Sequence, residues 1–214
     1  MAKIDPMTDP QKVFEYFMQY GIKIIPIDIN EENPSPYDFY PLWPPHQSTS
    51  DYLELSENLK SQCYFAVIVG PDTKYLVVVR INAKDENELF QKCEEIFKTK
   101  PTTPIIRHSE GFDIFFRADQ NWLESMIDAI PEEFIQFSGF ESGTRKHEGY
   151  LMMVEKYPHK GGYSIRSFDL KEGVKVIISG MIPVPPTIGY SWVNKKSFSH
   201  LPEFNKYITI STIF

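Results

Sequence analysis

Apolar residues recur at helical spacing near the start of the chain, where Val13, Phe14, Phe17 and Met18 follow Pro10 and stop before Gly21. Thr8 or Asp9 can cap such a helix, with the proline in its first turn. The pattern then turns extended. Ile22 to Ile27 is rich in β-branched residues and predicts a strand ending between Pro26 and Asp28, because proline limits central pairing. The segment from Glu31 to Pro45 carries five prolines among aromatic residues, which resists both helix and ladder, so it reads as a packed surface loop. Thr49, Ser50 and Asp51 can cap a helix bearing Tyr52, Leu55 and Leu59.

Tyr64 to Val69 is apolar throughout, as expected of a strand covered on both faces. A turn at Pro71, Asp72 and Thr73 leads to a second such run, Tyr75 to Ile81, close enough to pair with the first as a hairpin. From Asp85 to Lys98 the helical period returns, with Leu89, Phe90, Cys93, Ile96 and Phe97 on one face. Ile105 to His108 and Phe112 to Phe116 predict two strands around Ser109, Glu110 and Gly111, where the glycine permits the turn. A helix from Trp122 to Ile130, a strand from Phe134 to Phe137, a polar loop, a strand from Tyr150 to Val154 and a turn at Gly161 and Gly162 follow. Val174 to Ile178 is the last strand the pattern predicts. Beyond Met181 the chain is broken by prolines, and its short apolar tail either packs back or docks a partner. Several strands are joined by short turns, so the expected class is α+β with a mixed sheet.

At 214 residues the chain suits a single domain, 1–214, with one well-buried core. Its 29 acidic against 22 basic residues give a formal charge of −7, opposite in sign to a protein that coats DNA indiscriminately, so any nucleic-acid contact must be local. Cys63 and Cys93 lie far apart in apolar surroundings and read as buried thiols, not as a disulfide or metal site. Neither a membrane-length apolar run nor a charged leader is evident, which leads to the expectation of a soluble cytoplasmic protein with no membrane partner. His46, His108, His147, His159 and His200 show no zinc spacing, and no phosphate-cradling glycine loop or nucleophile elbow occurs.

The order of the strings YGIKIIPI, STSDYLELSENL, YFAVIVG, LVVVRIN, HSEGFDIFF, IQFSGF and GYLMMVEKYPHKGGYSI resembles the archaeo-eukaryotic primase superfamily, in particular the primase-polymerase domain of plasmid, viral and archaeal replication proteins. The resemblance runs from about residue 13 to about residue 165, leaving 166–214 as a C-terminal extension. It implies a two-layer primase-polymerase-like fold with a mixed central sheet flanked by helices. It also implies a strand carrying an Asp-x-Asp metal pair, matched here by Arg80, Ile81 and Asn82, then a strand histidine, matched by Asp113, and a third acid, matched by Gln136. Glu155 and Lys156 stand at the family's proline-serine step.

Templated nucleotide addition, as the resemblance implies it, needs carboxylates that hold two divalent cations. Strand alternation would point Arg80 and Asn82 to one face. A guanidinium at roughly 4 Å from a divalent cation repels it by about 8 kcal/mol at an effective dielectric of about 20. The expectation is therefore no catalytic residue, no metal site and no cofactor, with Mg or Mn required only if an active enzyme uses unconventional ligands such as Glu110, Asp113 or Glu155. Asp28 is a further carboxylate, and also reads as a strand-end turn residue. Arg80 either pairs with Asp113 from the neighbouring strand, in place of a metal, or the two are ordinary residues on an open face; a further use of Arg80 is direct contact with a phosphate, without metal.

Arg145, Lys146 and His147, and then Lys156, Tyr157, His159 and Lys160, interleave cations with rings and suit single-stranded or primer-template DNA, although a solvated basic loop has the same composition. Gln120 to Ile127 carries a QxxLxxMI pattern that reads either as a sliding-clamp peptide without its aromatic pair or as a plain amphipathic helix. Three functions are consistent with these residues: a catalytically inactive primase-polymerase-like component of DNA replication that binds nucleic acid or other replication proteins, an active primase or polymerase with unusual ligands, and an unrelated α+β protein-interaction domain.

Overall fold

The computed structural model describes residues 10–37, 39–41, 64–130, 135–137, 164–194 and 196–208. Helix α1 (Pro10–Met18) buries Val13, Phe14 and Phe17 against strand β1 (Ile24–Ile29), as its spacing requires. Strands β2 (Phe39–Pro41), β3 (Tyr64–Val69) and β4 (Leu76–Ile81) follow, then helix α2 (Glu86–Phe97). The Asp85 side chain accepts the Glu88 N–H and starts α2, while Lys98 in the left-handed region ends it. Strands β5 (Ile105–His108) and β6 (Gly111–Arg117) form the expected hairpin. Helix α3 (Gln120–Ala129), capped by Asp119, precedes β7 (Ile135–Phe137), β8 (Ser164–Lys171), β9 (Val174–Val184) and β10 (Ser191–Trp192). No helix among the described residues is long and apolar enough to cross a membrane.

The class is α+β, but among the described residues the sheet is antiparallel and not mixed. Its ten strands run β10-β5-β6-β4-β9-β3-β1-β2, with β8 on β9 and β7 on β8, and every ladder between these strands is antiparallel. The strand that decides this is β9. Its first half pairs with β4, from Val174 opposite Ile81 to Ile177 opposite Val78, and its second half pairs with β3, from Gly180 opposite Val69 to Val184 opposite Phe65. β3 and β4 therefore do not form the expected hairpin; one bridge between Gly70 and Leu76 is all that joins them, and β9 supplies each with its ladder.

β9 also overruns its expected end at Ile178. Pro183 sits in the ladder opposite Ala66, so proline does not break the strand there. In β1 the reason for such tolerance is visible. The Ile68 N–H donates to the Lys23 carbonyl, so alternate residues of β1 turn their backbone groups away from β3. Pro26 is one of these, and its missing N–H faces the far edge, where the last described pair with β2 is Ile27 with Pro41. β2 itself lies within the stretch read as loop. Residues 166–214, expected as an extension, thus carry the strand that holds β3 and β4 in one sheet.

Alternation along β4 divides two cores. Leu76 and Val78 face a cluster with α1, β1 and β3, whereas Val77, Val79 and Ile81 face α2 and α3 through Leu89, Cys93, Phe97, Leu123 and Met126. Helices thus cover both faces of the sheet. Phe198 enters the first core and Phe204 the second, so residues 198–208 pack back on both sides, while the apolar tail from residue 209 lies outside the described residues. Leu123 and Met126 of the QxxLxxMI pattern are fully buried, which makes that stretch an amphipathic core helix. The expected helix at 49–59, the strand at 150–154, the Gly161–Gly162 turn and Cys63 lie outside the described residues.

Candidate functional site: a buried ion pair and a nearby cleft

Arg80 and Asp113 are direct cross-strand partners in β4 and β6. Their side chains share the face that carries Val78 and Phe115. The guanidinium donates from Nε to Oδ1 at 2.8 Å and from Nη2 to Oδ2 at 2.9 Å, a bidentate geometry. The side chains are 4% and 0% exposed. Burial disfavours charge on both groups, yet the adjacent Arg80, with His108 behind it, holds the Asp113 carboxyl well below the usual carboxylate range. On Arg80 the same burial is outweighed by Asp113, so the guanidinium stays charged. Of the two arrangements the sequence allowed, the structure has the pair.

His108, at the end of β5 and also buried, adds a third member. The Glu110 N–H donates to its Nδ1 at 3.2 Å, which leaves the ring proton of a neutral imidazole on Nε2. Nε2 stands 3.4 Å from Asp113 Oδ1, an electrostatic contact longer than a good hydrogen bond. The Tyr37 ring covers the guanidinium, with its centroid 4.8 Å from the Arg80 Cζ, and the Tyr190 ring lies 5.8 Å from that of His108. On the other side of Arg80, Lys175 of β9 is the cross-strand partner, followed by Asp169 of β8. Charges of alternating and repeated sign therefore form one row: Asp169, Lys175, Arg80, Asp113.

Beyond the end of β4 is a cleft of about 920 Å³, between the start of α2, the β5–β6 turn and the β8–β9 turn, which meets the buried cluster only at His108. Asn82, Lys84, Arg107, His108, Glu110 and Glu172 are among its lining residues. Gly111 is required here: its φ of 134° is open to glycine, and a Cβ would run into the Ile81 carbonyl oxygen. Lys92 is tied down by the Asn82 carbonyl at 2.6 Å and by Glu88 at 3.0 Å.

Arg80 and Asn82 do not share a site as strand alternation suggested. β4 ends at Ile81, so Asn82 leaves the ladder, gives its N–H to the Gly173 carbonyl at 2.8 Å and faces the cleft, while Arg80 is buried. Gln136 lies in β7, with β8 and β9 between it and β4. Asp28 is exposed in β1 opposite Tyr40, three strands from Arg80. Glu110 is at the cleft, apart from Asp113, whose carboxylate is committed to Arg80. Glu155, Arg145, Lys146, His147, Lys156, Tyr157, His159 and Lys160 lie outside the described residues. His108 was legible as a member of this face, since it shares the alternation of Ile106; Tyr37 and Tyr190 arrive from loops and had no local signal.

The matched positions do not fit the pair of divalent cations that the resemblance implies. An arginine in a bidentate pair, a lysine beside it and a single consumed carboxylate offer no anionic oxygens for coordination. Among the described residues no three His, Cys, Asp or Glu side chains are grouped to hold a metal. Compared with protein-family models, curated proteins and solved structures, the chain matches none.

Proposed function

We propose that this chain is a catalytically inactive protein of primase-polymerase plan, a binding or scaffolding component of DNA replication. The observation that carries the reading is the Arg80–Asp113 pair: two of the positions matched to metal and phosphate contacts neutralise each other inside the sheet. A buried bidentate pair is costly to break, so Asp113 is not free to become a ligand. The α+β class agrees with the plan, although the antiparallel sheet and the helices on both faces depart from its mixed, two-layer form, and the basic and aromatic residues between Arg145 and Lys160 supply its contact with single-stranded DNA.

The test is nucleotide incorporation on a primer-template while Mn²⁺ is titrated, together with binding of labelled single-stranded DNA at two salt concentrations. The reading expects no extension at any Mn²⁺ concentration, and DNA binding that weakens as salt rises. Metal-dependent extension that is lost in Asp113→Asn would overturn it. Salt-insensitive or absent DNA binding would restrict the role to protein partners.

A further inference from the structure

The β5–β6 turn consists of Ser109 and Glu110, between the paired His108 and Gly111. Neither turn residue takes the positive φ that fits a two-residue hairpin to the twist of its strands; the glycine after them does, at 134°. Two side-chain bonds hold this turn. His108 Nδ1 accepts the Glu110 N–H at 3.2 Å, and the Ser109 hydroxyl donates to the Pro34 carbonyl at 3.0 Å. Pro34 lies in the loop that brings Tyr37 over Arg80, and the turn itself lines the cleft.

His108 is the member of this arrangement whose bonding can change. Its Nδ1 accepts only while the ring is neutral, since an imidazolium has two donors and no acceptor. A proton taken from solvent onto Nδ1 therefore removes the Glu110 bond and sets two N–H groups face to face. The same charge strengthens the attraction of Nε2 to Asp113 Oδ1, 3.4 Å away. From the neighbouring elements, Asp113 on β6 favours the proton, Arg80 on β4 opposes it while paired with that carboxylate, and the Tyr190 ring stands 5.8 Å from the imidazole. In the cleft beside the ring, Glu88, Glu110 and Glu172 balance Lys84, Lys92 and Arg107, and Arg107 leans over Phe112 on the other face of β5.

We propose that protonation of His108 switches the wall of the cleft: it exchanges the Glu110 N–H bond for a close contact with Asp113 and releases the β5–β6 turn. With His108 neutral, the turn is tied to the end of β5. With His108 charged, Ser109 and Glu110 are free to move about Gly111.

The full chain, isotopically labelled, is followed by NMR from about pH 8 to about pH 5, where histidine ordinarily takes up its proton. The His108 ring should titrate, and the Glu110 amide proton should move upfield with the same midpoint as its hydrogen bond is lost. In Glu110→Gln, which lacks the titration of the nearby carboxyl, the amide at 110 should move in the same way. In His108→Gln it should stay in place over that range. A His108 ring that remains neutral throughout, an amide at 110 that is still or follows a different midpoint, or a movement that survives in folded His108→Gln overturns the switch. Should His108→Gln not fold, the curves of the native protein and of Glu110→Gln decide.

Discussion

Replacing Arg80 with methionine keeps most of the stem volume and removes the cation, leaving the Asp113 carboxylate charged at a position with no solvent exposure. Both of its close hydrogen bonds, at 2.8 and 2.9 Å, disappear together. Breaking a buried pair from one side costs about 3–5 kcal/mol, because the remaining charge has no water and keeps only the longer His108 contact at 3.4 Å. For a chain of this length each kcal/mol corresponds to about 2–4 °C, so the midpoint should fall by roughly 6–20 °C. Asp113→Asn removes the other charge, and the double variant Arg80→Met with Asp113→Asn removes both. The double should recover much of the loss, with a coupling of about 2 kcal/mol or more, since no unpaired ion remains. Urea unfolding of the four proteins measures each term. Lys171→Met is a useful control, because its pair with Glu95 is 40% and 53% exposed and its loss should leave the midpoint unchanged within error. If Arg80→Met costs less than about 1 kcal/mol and the two changes add, the pair is not the buried element described here.

The same pair sets an acid limit. Asp113 is held ionised below its unfolded pKa of about 3.9, so its contribution is complete above that pH and is lost as pH falls towards the native value. Stability followed by denaturant titration below pH 5 should fall more steeply in the native protein than in Asp113→Asn, and parallel curves would contradict this. Gly111→Ala forces a φ of 134° on alanine and drives its Cβ into Ile81, so a loss of about 2 kcal/mol or more is expected by urea unfolding; a neutral result would show that the β5–β6 turn adapts. Phe204→Ala empties a fully buried site against Phe116 and Trp122, with an expected cost of about 3–5 kcal/mol, and a loss below 1 would mean the C-terminal segment is not part of the core.

Local pattern carried the elements whose reasons are local. The spacing of Leu89, Cys93 and Phe97 and the caps at Asp85 and Lys98 specify α2 without reference to anything else. The same holds for the apolar run of β3 and for the β5–β6 hairpin around Gly111. Arg80 and Asp113 stood out through the resemblance, and their pairing was one of two arrangements the residues left open. Pairing was a different matter. Nothing near Gly70 says that a strand about a hundred residues later will take the places of a hairpin, because β9 gains a ladder from each of two strands, and that gain exists only once all three meet. Pro26 and Pro183 were read as breakers because the edge to which a proline turns its missing N–H depends on the neighbours it acquires. Tyr37 and Tyr190, which close over the ion pair with His108, come from loops whose positions are fixed by distant backbone. The sequence by itself determined the long helices and the strongly apolar strands, but not β2, β8 or β10, nor the burial of Arg80 with Asp113. Tertiary structure alone decided which strands adjoin and what surrounds the buried charge, because both follow from contacts between residues far apart in the chain.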